Sequence, residues 1–103
     1  VAGVSKVGSY TGTGSTGLNI DCGFSSGARF VMIKRTDAAP YDWLVWDSVR
    51  GIVSGDDKRL SLNTTNAEVT QDNIDPLSSG FTISTTINGV NQSGGTYIFY
   101  AIA

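Results

Sequence analysis

The stretch that most restricts the fold is Asp42–Gly51, which reads Asp-Trp-Leu-Val-Trp-Asp-Ser-Val-Arg-Gly. It holds both tryptophans of the chain and sets an acid and a base, Asp47 and Arg50, three residues apart before the stop at Gly51. Side chains alternate across a strand. Trp43, Val45 and Asp47 are therefore expected on one face, and Asp42, Leu44 and Trp46 on the other. Bulky apolar groups on both faces describe a central strand covered on both sides, with Trp46 in the core. Ser48-Val49-Arg50-Gly51 offers Ser at the first and Gly at the fourth position of a turn, as type I prefers. Asp47 is expected to accept bonds from that turn while Arg50 pairs back to it. Trp46, Asp47, Arg50 and Gly51 then make a structural corner, and the pair, if buried, is worth about 3–5 kcal/mol to break.

Composition agrees with extended chain. Charged residues are 16% of the 103, well below the usual share of about 25%. Helices wear Glu, Lys and Arg on their wet faces, and this chain has a single Glu. Thirteen glycines and abundant Ser, Thr and Asn suit an all-β domain instead. The length makes one domain, large enough to bury well over half of its unfolded surface without a disulfide or metal. A net charge of −2 argues against a nucleic-acid backbone as partner. Cys22 is alone and histidine is absent, so the commonest general base and metal ligand is missing. No stretch approaches the roughly 18 apolar residues of a membrane helix, and no membrane insertion is expected. The chain opens Val-Ala-Gly-Val with no initiator Met, which suggests a processed product or part of a longer polypeptide.

Along the chain, Val4–Tyr10 alternates as a first strand and Thr11–Gly17 is a glycine-rich loop. Leu18–Cys22 follows with Leu18, Ile20 and Cys22 inward, and Phe30–Ile33 is a short apolar run suited to a buried strand. Arg59–Asn63 alternates, with Leu60 and Leu62 expected inward. Thr64–Thr70 reads as irregular, and Asp72–Pro76 as loop, since proline blocks a hydrogen-bond ladder. Gly80–Thr85 is a strand. Asn88-Gly89 carries the type I′ hairpin signal, where both central residues need positive φ. The last strand, Thr96–Ala103, is apolar on both faces and is expected between two neighbours. About eight short strands indicate an antiparallel β-sandwich of jelly-roll or Greek-key type.

Candidate chemistry is sparse. Tyr41, Trp43 and Tyr10 are the candidate ligand-binding residues, as an aromatic platform for a sugar ring; core packing is the plainer account of them. Asp56-Asp57 and Asp72-Asn73-Asp75 offer oxygen atoms for calcium, yet neither has EF-hand spacing and both read as turns, so no metal or other cofactor is expected. Asn63 and Asn91 start glycosylation-type triplets of the kind that chance supplies in such a chain. No serine or Cys22 has a histidine to activate it. Asp47 and Glu68 are the one carboxylate pair worth naming for glycoside hydrolysis, and nothing in their spacing recommends them.

Six blocks occur in a recognisable order: Gly8–Gly14, Cys22-Gly23-Phe24 with Phe30–Arg35, Asp42–Gly51, Leu60–Asn63, Ser79–Ile83 and Gly95–Ala101. Together they resemble a β-rich domain of tail-fibre and other virion structural proteins of tailed bacteriophages, many of them marine. The resemblance covers nearly the whole chain, and the W-x-x-W-D-S-x-R-G stretch is its most specific part. It implies a non-enzymatic structural or receptor-binding module of a phage tail fibre or virion appendage, assembled in the host cytoplasm. The partners it implies are other virion subunits, with a homotrimer expected from that setting, and a host surface glycan or protein. Two other readings stay open: a carbohydrate-binding module of a secreted protein, and a decoration or filament subunit that self-assembles through Val1–Val7.

Overall fold

Apolar alternation sorts this chain into layers. The computed structural model describes residues 1–103, as nine strands and one helical turn. In chain order they are β1 (Ser5–Thr11), β2 (Leu18–Asp21), β3 (Phe30–Arg35), β4 (Leu44–Asp47) and β5 (Asp57–Ser61). β6 (Val69–Gln71), β7 (Ile74–Leu77), β8 (Gly80–Ile83), α1 (Asn88–Asn91) and β9 (Thr96–Ile102) complete the set. Six strands form one antiparallel sheet in the order β1-β9-β3-β4-β5-β6, and three form another, β2-β8-β7. The two pack as a sandwich, as expected. β9 lies between β1 and β3, antiparallel to both, which its two apolar faces require. The spatial order β9-β3-β4-β5, three successive antiparallel strands plus a late strand returning beside the first, is a Greek key.

The core fills the gap between the sheets. Val31, Ile33, Leu44, Trp46, Tyr97, Phe99 and Ala101 of the large sheet meet Ile20, Ile74, Phe81 and Ile83 of the small one. Phe81 and Phe99 meet edge to face, with centroids 5.5 Å apart. Trp46 is fully enclosed on a central strand, although that strand starts at Leu44 and not at Asp42. Its indole N–H finds no acceptor, which offsets part of the gain from burying so large a ring. Gly80 is dictated by approach: a Cβ there would collide with the Ile20 carbonyl oxygen across the β2–β8 pairing.

Four expectations need correction. The corner begins one residue early, because Gly51 N–H donates to the Asp47 carbonyl at 3.0 Å and Arg50 N–H to Asp47 Oδ1 at 2.8 Å. The carboxylate caps the turn from Asp47, and Gly51 closes it at φ +123°. Asn88-Gly89 makes no hairpin; neither residue has positive φ, and both enter α1. Tertiary contacts override the turn preference there. Val90 is sealed in the core, and Asn91 accepts from Thr13 N–H and donates to the Ser15 and Thr85 carbonyls. Part of Asp72–Pro76 is strand, since β7 is an edge that pairs only with β8, and an edge tolerates proline. Within the segment read as irregular, Val69 and Thr70 pair with β5.

The largest difference concerns β5. Leu60 lies opposite Val45 on the outer face, and Leu62 is 60% exposed, so neither points inward. Asp57 and Arg59 do. Arg59 donates to Asn73 Oδ1 at 2.8 Å, and both Asp57 and Asn73 are buried. Burial, and after it the neighbouring Asp75, Asp72 and Asp56, push the Asp57 carboxyl up to about 7. The alternation of β5 is as expected; its apolar parity is reversed, and a one-residue shift of parity exchanges the two faces of a strand. With only three strands, the small sheet brings the polar β6–β7 connection against β5 in place of apolar side chains.

Trp46→Ala is expected to cost about 3–5 kcal/mol in urea unfolding, whereas Trp43→Ala, at a partly exposed ring, should cost under about 2 kcal/mol. Equal losses at the two positions would contradict the assignment of Trp46 to the core.

Candidate functional site

Register builds a feature that no single strand displays. Val7 of β1 lies opposite Tyr100 of β9, and Tyr100 opposite Met32 of β3. Met32 in turn lies opposite Val45 of β4, and Val45 opposite Leu60 of β5. One apolar row thus crosses five strands on the outer face of the large sheet, away from the small one. Beside it, Val7, Met32, Trp43, Ile98, Phe99 and Tyr100 line a hollow of about 230 Å³. Val7, Ile98 and Trp43 are 74%, 40% and 37% exposed. Val45 itself is buried; the open part of the row, from Val7 to Met32 with Trp43 and Ile98 beside it, is the contiguous apolar surface that marks an interaction site more often than scattered apolar residues do. Lys34 stands on the same face at one end of the β3–β4 hairpin, and Asp47 at the other.

The three candidate aromatics are not brought together. Trp43 lines the outer hollow. Tyr41 sits under the Arg35 guanidinium, 5.0 Å from its ring centroid, on the inward side of β3. Tyr10 stacks on Tyr97 with centroids 5.0 Å apart, and its hydroxyl donates to the Val90 carbonyl at 2.7 Å. Desolvation, with Tyr97 beside it, raises the Tyr10 phenol far above its ordinary pKa. Its polar end is thus occupied inside the fold. Of the three, Trp43 alone borders a recess open to a ligand or a partner surface.

Arg35 is the residue that sequence reasoning passed over. It is 7% exposed and ties three segments together. Nε donates to Asp37 Oδ1 at 2.8 Å, and NH1 donates to the Asn88 carbonyl at 3.0 Å and to Gln92 Oε1. Its guanidinium lies over Tyr41 and, at 5.7 Å, over Tyr97. The available signal was parity, since Arg35 follows Val31 and Ile33 on the inward side of β3. The Arg35 hydrogen bond, and then the Thr96 N–H, hold the Asp37 carboxyl down at about 2.

At the corner, Arg50 Nε meets Asp47 Oδ2 at 2.7 Å, and NH1 stands 3.7 Å from Glu68 Oε2. The Arg50 and Asp47 side chains remain 22% and 28% exposed. Screening by water at that exposure brings the pair down to about 1 kcal/mol, in place of the cost expected for a buried pair. Asp47 and Glu68 do converge, but on one arginine. The Arg50 backbone N–H, ahead of its guanidinium, lowers the Asp47 pKa, the opposite of what a general acid needs.

In a carboxyl-resolved NMR titration, Asp37 should titrate near 2, and in Arg35→Met its midpoint should return toward the ordinary value of about 3.8. Because its folded pKa is depressed, its contribution to stability is complete above the unfolded value and is lost as pH falls through about 2. A midpoint unmoved by Arg35→Met would separate the two residues.

No curated protein and no solved structure matches the chain. The model of a family described as a domain of unknown function, DUF7483, matches residues 1–103, and the chain belongs to that family.

Proposed function

We propose that this domain is a non-enzymatic structural or receptor-binding module of a bacteriophage tail fibre or virion appendage, built into its assembly by the outer face of the six-stranded sheet. The observation that carries the reading is the apolar row Val7–Tyr100–Met32–Val45–Leu60 with the hollow beside Trp43. Covering that row removes apolar area from water, at roughly 25 cal/mol per Å². A neighbouring copy of the chain suits it as occupant. Lys34 and Asp47 lie on either side of the row, and Asp47 is already held by Arg50, so apolar cover and not charge pairing is what a second copy would supply. The order of blocks resembles that of phage fibre and virion proteins, which supports the same reading and supplies its setting: particles assembled in the host cytoplasm from repeated subunits.

Sugar recognition has less support at this surface. A glycan needs hydrogen-bonding groups placed around an aromatic ring, and the hollow is lined by six hydrophobic residues whose only polar side-chain hydrogen-bonding groups are the Tyr100 hydroxyl and the Trp43 indole N–H. The paired carboxylates at Arg50 likewise support a structural corner more than a reaction centre.

Antibody raised against the domain is expected to decorate the tail or surface appendages of intact phage particles in electron micrographs; labelling absent from the particles would overturn the phage reading. In sedimentation the isolated domain should form dimers or trimers, and the double variant Val7→Ser, Ile98→Ser should be monomeric with its melting temperature little changed. A wild-type chain that stays monomeric at millimolar concentration removes the outer face as an assembly surface. Glycan binding lost in Trp43→Ala would put the carbohydrate reading in its place.

A further inference from the structure

The buried acid on β5 has a use that the corner and the outer face do not explain. One carboxylate oxygen each from Asp57, Asp72 and Asp75 lie within 4.8 Å of one another. Asp57 is 1% exposed, and its Oδ1 is sealed from water with no donor in reach. Its Oδ2 accepts only a long bond, 3.3 Å from Val53 N–H. Asp75 Oδ1 is similarly underused, with Gly55 N–H at 3.4 Å, while Asp72 Oδ1 takes the Ser84 hydroxyl at 2.6 Å. No lysine or arginine comes within 4.0 Å of any of the three carboxylates; all four ion pairs of the molecule lie elsewhere. Arg59, half-buried and two residues along β5 from Asp57, donates to Asn73 Oδ1 and to none of the three acids. Three acids held together, one of them with an oxygen beyond the reach of water and of any donor, amount to a coordination shell lacking its positive charge.

We propose that Asp57, Asp72 and Asp75 form a calcium site that ties strand β5 of the large sheet to the edge strand β7 of the small one. Asp57 opens β5, Asp75 lies in β7, and Asp72 lies on the connection from β6 to β7. Oxygen atoms bound to one Ca²⁺ at about 2.3–2.6 Å stand up to roughly 5 Å apart, which matches the observed spread. Mg²⁺ demands a near-ideal octahedron and keeps most of its water, so an irregular shell of several protein carboxylates suits Ca²⁺ better. The ion supplies the charge that Asp57 lacks, and water molecules reach the exposed side at Asp72 to complete the shell. Its effect is to fasten two elements that share no ladder hydrogen bonds, since β5 and β7 belong to different sheets. This inference does not depend on what the outer face binds.

The test is calorimetric and thermal titration of chelator-treated domain with CaCl₂, in parallel with MgCl₂. One Ca²⁺ per chain is expected, with the melting temperature raised on the order of 10 °C once free Ca²⁺ exceeds Kd about a hundredfold. EDTA should reverse the rise. Asp57→Asn should weaken Ca²⁺ binding roughly tenfold or more by removing one ligand charge, and melt in EDTA no lower than the wild type, because the amide carries no unpaired charge. Asp75→Asn, at a less buried position, should weaken binding likewise, so the test survives if Asp57→Asn does not fold. Absence of heat and of any melting shift with CaCl₂ would overturn the site. So would an undiminished response in both variants, and an equal response to MgCl₂ would overturn the assignment to calcium.

Discussion

The double pairing of the final strand holds this fold together. β9 makes ladders with β1 on one side and β3 on the other, joining the two ends of the chain to its middle. Its sequence meets both demands at once. Tyr97, Phe99 and Ala101 enter the core, while Ile98, Tyr100 and Ile102 stand on the outer face. Without β9 the N-terminal strand has no partner, and Phe81 loses the Phe99 ring against which it packs edge to face. Contacts so distant along the chain carry a loop-closure cost before they stabilise anything. The gain comes only when the sandwich closes.

Unequal sheets then create the two features with functional interest. Six strands cannot be covered by three, so the small sheet lies over only part of the large one. Under its edge, the inward side of β5 meets polar chain, and a carboxylate is buried among others. On the opposite face, the row is covered at Val45 but open from Met32 to Val7 and at Trp43, and that part remains a surface suited to association. One asymmetry accounts for both: an excess of apolar face outside and a shortage of apolar cover inside.

Much of the architecture was legible from local pattern. Trp46 in a covered central strand, β9 between two partners, and Asp47 bonded to the turn before Gly51 all follow from alternation and turn chemistry. Arg35 and Leu60 show where such reasoning stops. A basic residue at the end of an apolar run looks like a polar exit, yet parity carried Arg35 inward to Asp37 and the α1 backbone. Leu60 and Leu62 alternate as a strand should, but alternation does not say which face is the core. Asn88-Gly89 likewise carried a strong turn signal and lost to the burial of Val90 and Asn91.

What the sequence determined by itself is the class of structure: short extended segments, their ends, and the side chains large enough to need a core. Those are properties of neighbouring residues, set by sterics and by the period of two. The tertiary structure alone decided which face of each strand is wet, and which residues stand side by side across strands. The apolar row is drawn from five strands and the acid cluster from two separate stretches, Asp57 in one and Asp72 with Asp75 in the other. Each exists only through register and the packing of one sheet on the other, because residues far apart in sequence meet only after the chain has closed on itself.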